Sequence, residues 1–228
     1  MMLFRVFRRT TLCLAATMIL SAAGHAAEWN AKQESKPAPD GVSEPIKALL
    51  SGDAVVVEKD GTPELTLWFL KELPLSAKPE AAEKALDQVK ESQLLGVVEV
   101  HADRRDYRDD EMSAGVYTMR MGLRPNDGDH LGTSDYLYFG VLIPVSKDTK
   151  VEAYGSHDAL AEASAEETAV FHPSIISLRP DSKPGAAPLT VHEVAEDHVV
   201  ARVTASGKAA DAAETIAFEV VLEGEAAH

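Results

Sequence analysis

Residues 214–223, Glu-Thr-Ile-Ala-Phe-Glu-Val-Val-Leu-Glu, decide the fold class. From Thr215 to Glu223, Ile216, Phe218, Val220 and Leu222 fall on one side and Glu219 and Glu223 on the other. Successive strand residues point to opposite faces, so this alternation sets an apolar row inward and acids outward. Working back along the chain, residues 198–205 and 188–194 read as two more strands, which makes a three-strand meander. A Pro/Gly-rich break at residues 179–187 precedes it, and Ser174–Leu178 is a strand before that break.

The first half repeats the signal. Asp53–Glu58 and Glu64–Leu70 are β-branched and apolar runs joined through Asp60-Gly61, a hairpin turn pair. Leu94–His101 and Gly115–Arg124 are further strands. In the latter, Tyr117, Met119, Met121 and Leu123 share one face and Thr118, Arg120 and Arg124 the other, the pattern of a half-buried strand. Tyr136–Val145 is apolar on both faces and reads as a central strand. Two helices are expected. One spans residues 79–91, with Pro79 at its first position, a stripe of Ala82, Leu86 and Val89, and Glu80 four residues before Lys84; a shorter one covers 157–166. Many short strands with frequent turns imply a mainly β fold. The expectation is an antiparallel β-sandwich, jelly-roll or Ig-like, over residues 46–228, with one or two short helices.

The ends carry other instructions. Residues 1–26 have the layout of a signal peptide: Arg5, Arg8 and Arg9, an uncharged apolar run from Leu12 to Ala23, then Gly24-His25-Ala26. Residues 27–45 are polar, with Pro37, Pro39 and Pro45, and read as a linker or arm that Trp29 docks onto the domain or leaves exposed. The 228 residues hold 22 Lys+Arg against 37 Asp+Glu, a net charge of −15. Removal of the three arginines leaves 19 against 37, a net of −18. Such an acidic chain is a poor partner for nucleic acid or anionic lipid. Its single cysteine, Cys13, leaves with the signal segment, which excludes disulfides, cysteine nucleophiles and thiolate metal sites. The expected product is periplasmic or secreted, with no membrane span after cleavage.

Few motifs carry chemistry. Asn126-Asp127-Gly128-Asp129-His130, followed by Gly132-Thr133-Ser134-Asp135, is the densest polar cluster. Alternating carboxylates about a glycine converge on Ca²⁺, and a histidine beside them suits a transition metal, but no glutamate closes a calcium-hand loop. The same residues also make an ordinary polar loop of Asx turns. His192, Glu193 and His198 are spaced by six, not the four that a helical zinc-peptidase motif requires. Tyr136 and Tyr138, two apart on one strand face, form either a small sugar-binding platform or part of the core. The alternating charges of residues 103–111 read as a solvated hairpin connection.

Three segments carry a resemblance: Gly115–Thr133, Leu142–Asp148 and Phe171–Leu178. They resemble a group of uncharacterised secreted bacterial proteins of planctomycete type that share a GxYTLRxGxxPxDGDHxGT segment, an apolar strand ending in Pro, and His-Pro before another strand. The resemblance implies a secreted β-rich domain and no particular activity. It marks Asp127, Asp129, His130 and His172 as residues to watch for a divalent metal. Three roles follow as expectations: a non-enzymatic binding or accessory module for a protein or small molecule; a metal-binding or metal-dependent hydrolytic protein centred on that loop; and a carbohydrate-associated module.

Overall fold

The computed structural model describes residues 27–107, 109–124, 136–165, 172–195 and 198–224. The chain is mainly β, with its long strands in one large curled sheet. It begins with β1 (Trp29–Ser35), a one-turn helix α1 (Glu44–Lys47), β2 (Asp53–Lys59), β3 (Thr62–Phe69) and the short β4 (Leu73–Leu75). Then come β5 (Leu94–Val100), a two-residue ribbon β6 (Arg104–Arg105) and β7 (Glu111–Met112), β8 (Gly115–Leu123) and β9 (Tyr138–Pro144). Helix α2 (His157–Ala165), β10 (Ile175–Pro180), β11 (Thr190–Ala195), β12 (His198–Ala209) and β13 (Ala212–Glu223) complete it.

The sheet order is β1-β2-β3-β5-β8-β9-β10-β13-β12-β11, antiparallel throughout, with β4 added in parallel to β12. The expected mainly β class is borne out, whereas the sandwich is not confirmed: the long strands form one sheet curled into a half-barrel. Curling does the work of a second sheet: the inner faces of β2, β3 and β5 meet those of β12 and β13 in one apolar core. Phe69 on β3 and Phe218 on β13 cross it edge to face, with ring centroids 5.5 Å apart. The terminal strands of the order, β1 and β11, come beside one another at the seam.

Local sequence explains most elements. Asp60 and Gly61 both take positive φ, 52° and 76°, as the two-residue turn between β2 and β3 requires. At Gly96, where β5 is bulged, a Cβ would lie 2.0 Å from the carbonyl oxygen of Trp68, so only glycine permits that approach of β3 and β5. The final meander forms as β11, β12 and β13, with Ile216, Phe218, Val220 and Leu222 in the core. β9 lies between β8 and β10 and is buried on both faces, with Phe139, Val141 and Ile143 packed outward against Leu160 of α2.

Three local expectations change. The polar arm is β1, paired residue for residue with β2 from Trp29–Lys59 to Ser35–Asp53, while Trp29 and Ala31 pack on the core. The helix over 79–91 is instead two 3-10 turns, Ala82–Lys84 and Leu86–Gln88, since burying Ala85, Leu86 and Val89 against the core overrides helical propensity. Arg120 and Glu219 do point away from the inner core, yet both are fully buried because loops cover them.

Those loops are fastened by ion pairs. Arg120 meets Asp148 through two bonds, Nε to Oδ2 at 2.6 Å and Nη2 to Oδ1 at 3.0 Å. Its remaining donors go to the carbonyls of Ser92, Lys150 and Glu152, and Tyr154 lies against its plane. Thr118 Oγ1 donates to the same Asp148 carboxylate. On β12, Arg202 grips Asp181 in the same forked manner at 2.9 and 2.8 Å. Burial alone would raise the Asp181 carboxyl, but hydrogen bonds from Arg202 and the Lys183 N–H, with the charges of Arg202 and His192, hold it below its ordinary value.

Candidate functional site

The connection from β5 to β8, described at residues 101–107 and 109–114, folds back as a flap over one mouth of the half-barrel. Its charge run forms a hairpin, with Arg104 opposite Met112 and Arg105 opposite Glu111. Asp109 turns the corner with φ 67°, and the Asp106 side chain accepts the N–H of Asp110. Arg105 stays outside and pairs with Asp109 and Glu111. Arg104, Tyr107 and Met112 turn in. The run is therefore solvated on one face only.

Beneath this flap lies a cavity of about 820 Å³. It is lined by Trp29, Lys59, Glu64 and Leu65 from β1, β2 and β3, by His198, Leu222 and Glu223 from β12 and β13, and by Arg104, Tyr107 and Met112 from the flap. Cavities of this size, at the mouth of a barrel, are where small molecules bind. Arg104 donates from Nη2 to the carbonyl of Leu222 at 2.5 Å, while its buried Nη1 has no hydrogen-bond acceptor among the described residues. Burial pulls its pKa below the usual arginine value, against the opposing charges of Glu64, Glu223 and Asp106. Glu223 accepts from Trp29 Nε1 at 2.7 Å and from Lys59 Nζ at 3.0 Å. Burial raises its pKa; Trp29, Lys59 and Arg104 more than offset that and leave it lowered. Lys59 also sits over the Trp29 ring, 5.1 Å from its centroid. Tyr107 Oη and His198 Nε2 share a hydrogen bond of 3.1 Å, and the Tyr107 ring packs on Tyr136 with centroids 4.8 Å apart.

A second polar cluster lies on the outer face. Ser182 Oγ is 2.5 Å from Glu219 Oε1 and 3.5 Å from His192 Nε2, and that same nitrogen is 3.3 Å from Glu219 Oε1. A serine nucleophile needs one imidazole nitrogen for itself and the other for the acid. Here one nitrogen faces both groups, and the buried Nδ1 has no partner among the described residues. Glu219 also takes the Ser182 N–H and an ion pair with Arg179, so the cluster pins the turn after β10.

The residues singled out from sequence fare unevenly. Asp127, Asp129 and His130 lie outside the described residues, as do residues 1–26. His172 is exposed just before β10. Among the described residues no group of three His, Cys, Asp or Glu side chains is arranged to hold a metal. Tyr138 is buried in the inner core and donates to Asp87; burial, with that carboxylate beside it, pushes its pKa up to about 12. Tyr136 packs on Tyr107 and Arg179 instead, so the two rings do not form an open platform. His192 and His198 go to different partners, Glu219 and Tyr107. Compared with protein-family models, curated proteins and solved structures, the chain matches none of them.

Proposed function

We propose that this chain is an exported, non-enzymatic binding module and that its ligand occupies the cavity beneath the 101–114 flap. The observation that carries the reading is the cavity itself: about 820 Å³, walled by core strands, with a desolvated guanidinium in its lining. Its size falls within the usual range for small-molecule sites, and its wall combines apolar side chains with a few polar groups. Export is supported by the charge, apolar run and small residues of positions 1–26. No helix among the described residues is long and apolar enough to cross a membrane.

The test is a thermal-shift screen of the chain from residue 27 onward, purified from the periplasm or medium, against a panel of small organic acids, amines, sugars and peptides. A compound that raises Tm and alters Trp29 emission supports the reading. A panel in which nothing does both overturns it.

A further inference from the structure

The chemistry left unmatched in the cavity specifies more than its size does. Arg104 Nη1 is a buried charged donor without an acceptor among the described residues, a state that costs free energy until something fills it. Among the described lining residues the acids outnumber the bases: Glu64, Asp106, Asp109, Glu193 and Glu223 against Lys59, Arg104 and Arg105. Three of those acids are engaged. Glu223 holds Trp29 and Lys59, Asp109 holds Arg105, and Asp106 takes a backbone N–H. The Glu64 carboxylate, whose charge acts on Arg104, and the solvent-exposed Glu193 carboxylate have neither an ion pair nor a side-chain hydrogen bond among the described residues, so both can take a cation. A ligand bearing only a carboxylate would satisfy Arg104 but deepen the acidic excess. A plain amine would leave Arg104 unfilled.

Resting on the reading above, we propose that the cavity takes a small zwitterion with an apolar side chain, an amino acid or short peptide with free ends. Its carboxylate accepts from Arg104, its ammonium group faces Glu64 and Glu193, and its side chain lies on Leu65, Met112 and Leu222. Nη1 is almost wholly covered, so an acceptor reaches it after a small shift of the Arg104 side chain.

Trp29 lines the cavity while Trp68 is fully buried, so a ligand-induced emission change reports on Trp29. The probes are Leu-Leu, N-acetyl-Leu-Leu, Leu-Leu amide and free leucine, titrated by emission and calorimetry. Leu-Leu is expected to bind about tenfold or more tightly than either blocked form, as a charge-assisted bond lost on each side implies. Arg104→Gln weakens Leu-Leu by a similar factor and leaves Leu-Leu amide unchanged; Glu64→Gln weakens Leu-Leu and leaves N-acetyl-Leu-Leu unchanged. Tighter binding of leucine than of Leu-Leu assigns the site to amino acids, and the reverse to peptides. Equal binding of Leu-Leu and its blocked forms overturns the zwitterion assignment, as does Arg104→Gln with wild-type Leu-Leu affinity, which means water alone fills Nη1. If none of these probes binds while an acid, amine or sugar of the wider panel does, only the zwitterion falls. If nothing binds, the cavity reading falls with it. Should Arg104→Gln fail to fold, the blocked peptides on the unaltered protein decide the matter.

Discussion

Arg120 on the large sheet and Arg104 on the flap ribbon both bury guanidinium nitrogens, and they differ in how far their own chain satisfies those nitrogens. Every donor direction of Arg120 is met, by Asp148 and by three backbone carbonyls. Arg104 has one carbonyl and an unmet Nη1. Arg120 sits on β8 in mid sheet, where it ties the 148–154 loop to the strand. Arg104 sits on a flap held by a two-residue ribbon. The difference teaches how to separate a buried charge that builds the fold from one held ready for a partner: the first is saturated by its own chain.

That contrast can be broken by mutation. Asp148→Ala strands a fully buried guanidinium and should cost about 3–5 kcal/mol in urea unfolding, the range for removing one member of a buried pair. Replacing both partners, Arg120→Met with Asp148→Leu, should recover much of that loss; a double variant as unstable as the single would show that the pair is not the cause. Arg104→Met is expected to cost about 1–2 kcal/mol, since losing the bond to the Leu222 carbonyl is partly offset by removing a buried donor that has no partner among the described residues. A loss near that of Asp148→Ala would put Arg104 among the structural arginines and end the contrast.

Arg202 and Asp181 offer an intermediate case with a pH signature. The Asp181 carboxyl is held below its ordinary value when folded. Its contribution to stability is therefore complete above the unfolded-state pKa, about 3.9, and is lost as pH falls through the lower folded value. Asp181→Asn should be less stable than the native chain at neutral pH, with the gap narrowing below about pH 4. A gap that stays constant in acid titration would mean the charge is not what matters. The smallest effect belongs to Tyr107→Phe, which removes the hydrogen bond to His198 and should cost about 0.5–1 kcal/mol, with faster amide exchange confined to the flap.

Much of the sheet was legible because period-two alternation is a local property. Thr215–Glu223 puts Ile216, Phe218, Val220 and Leu222 in the core and Gly115–Leu123 puts Met119 and Met121 there, as the alternation requires, while Leu123 at the end of its strand is exposed instead of joining them. Alternation tells which face a residue occupies and is silent about what covers that face. Glu219 and Arg120 therefore read as solvated acid and base, although distant loops bury them. β1 was hidden for a related reason: it is a polar edge strand, and only its long-range pairing with β2 makes it one. The cavity was least legible. Arg104 and Arg105 are adjacent and chemically identical, and only the flap's register turns one inward. Strand alternation within Arg104–Arg105 is the one signal that separates them, and it gives a difference of face without saying which face is wet.

The Trp29–Glu223 hydrogen bond joins the first strand of the fold to the last. Topologically the chain is thus almost a ring, interrupted beside the cavity mouth. A short linker from residue 224 to residue 27, with new ends opened at the Asp60-Gly61 turn, would preserve every strand pairing. Whatever is attached at residue 27 or residue 224 is also delivered to the rim of the cavity, where its effective concentration is set by the tether and not by diffusion from bulk.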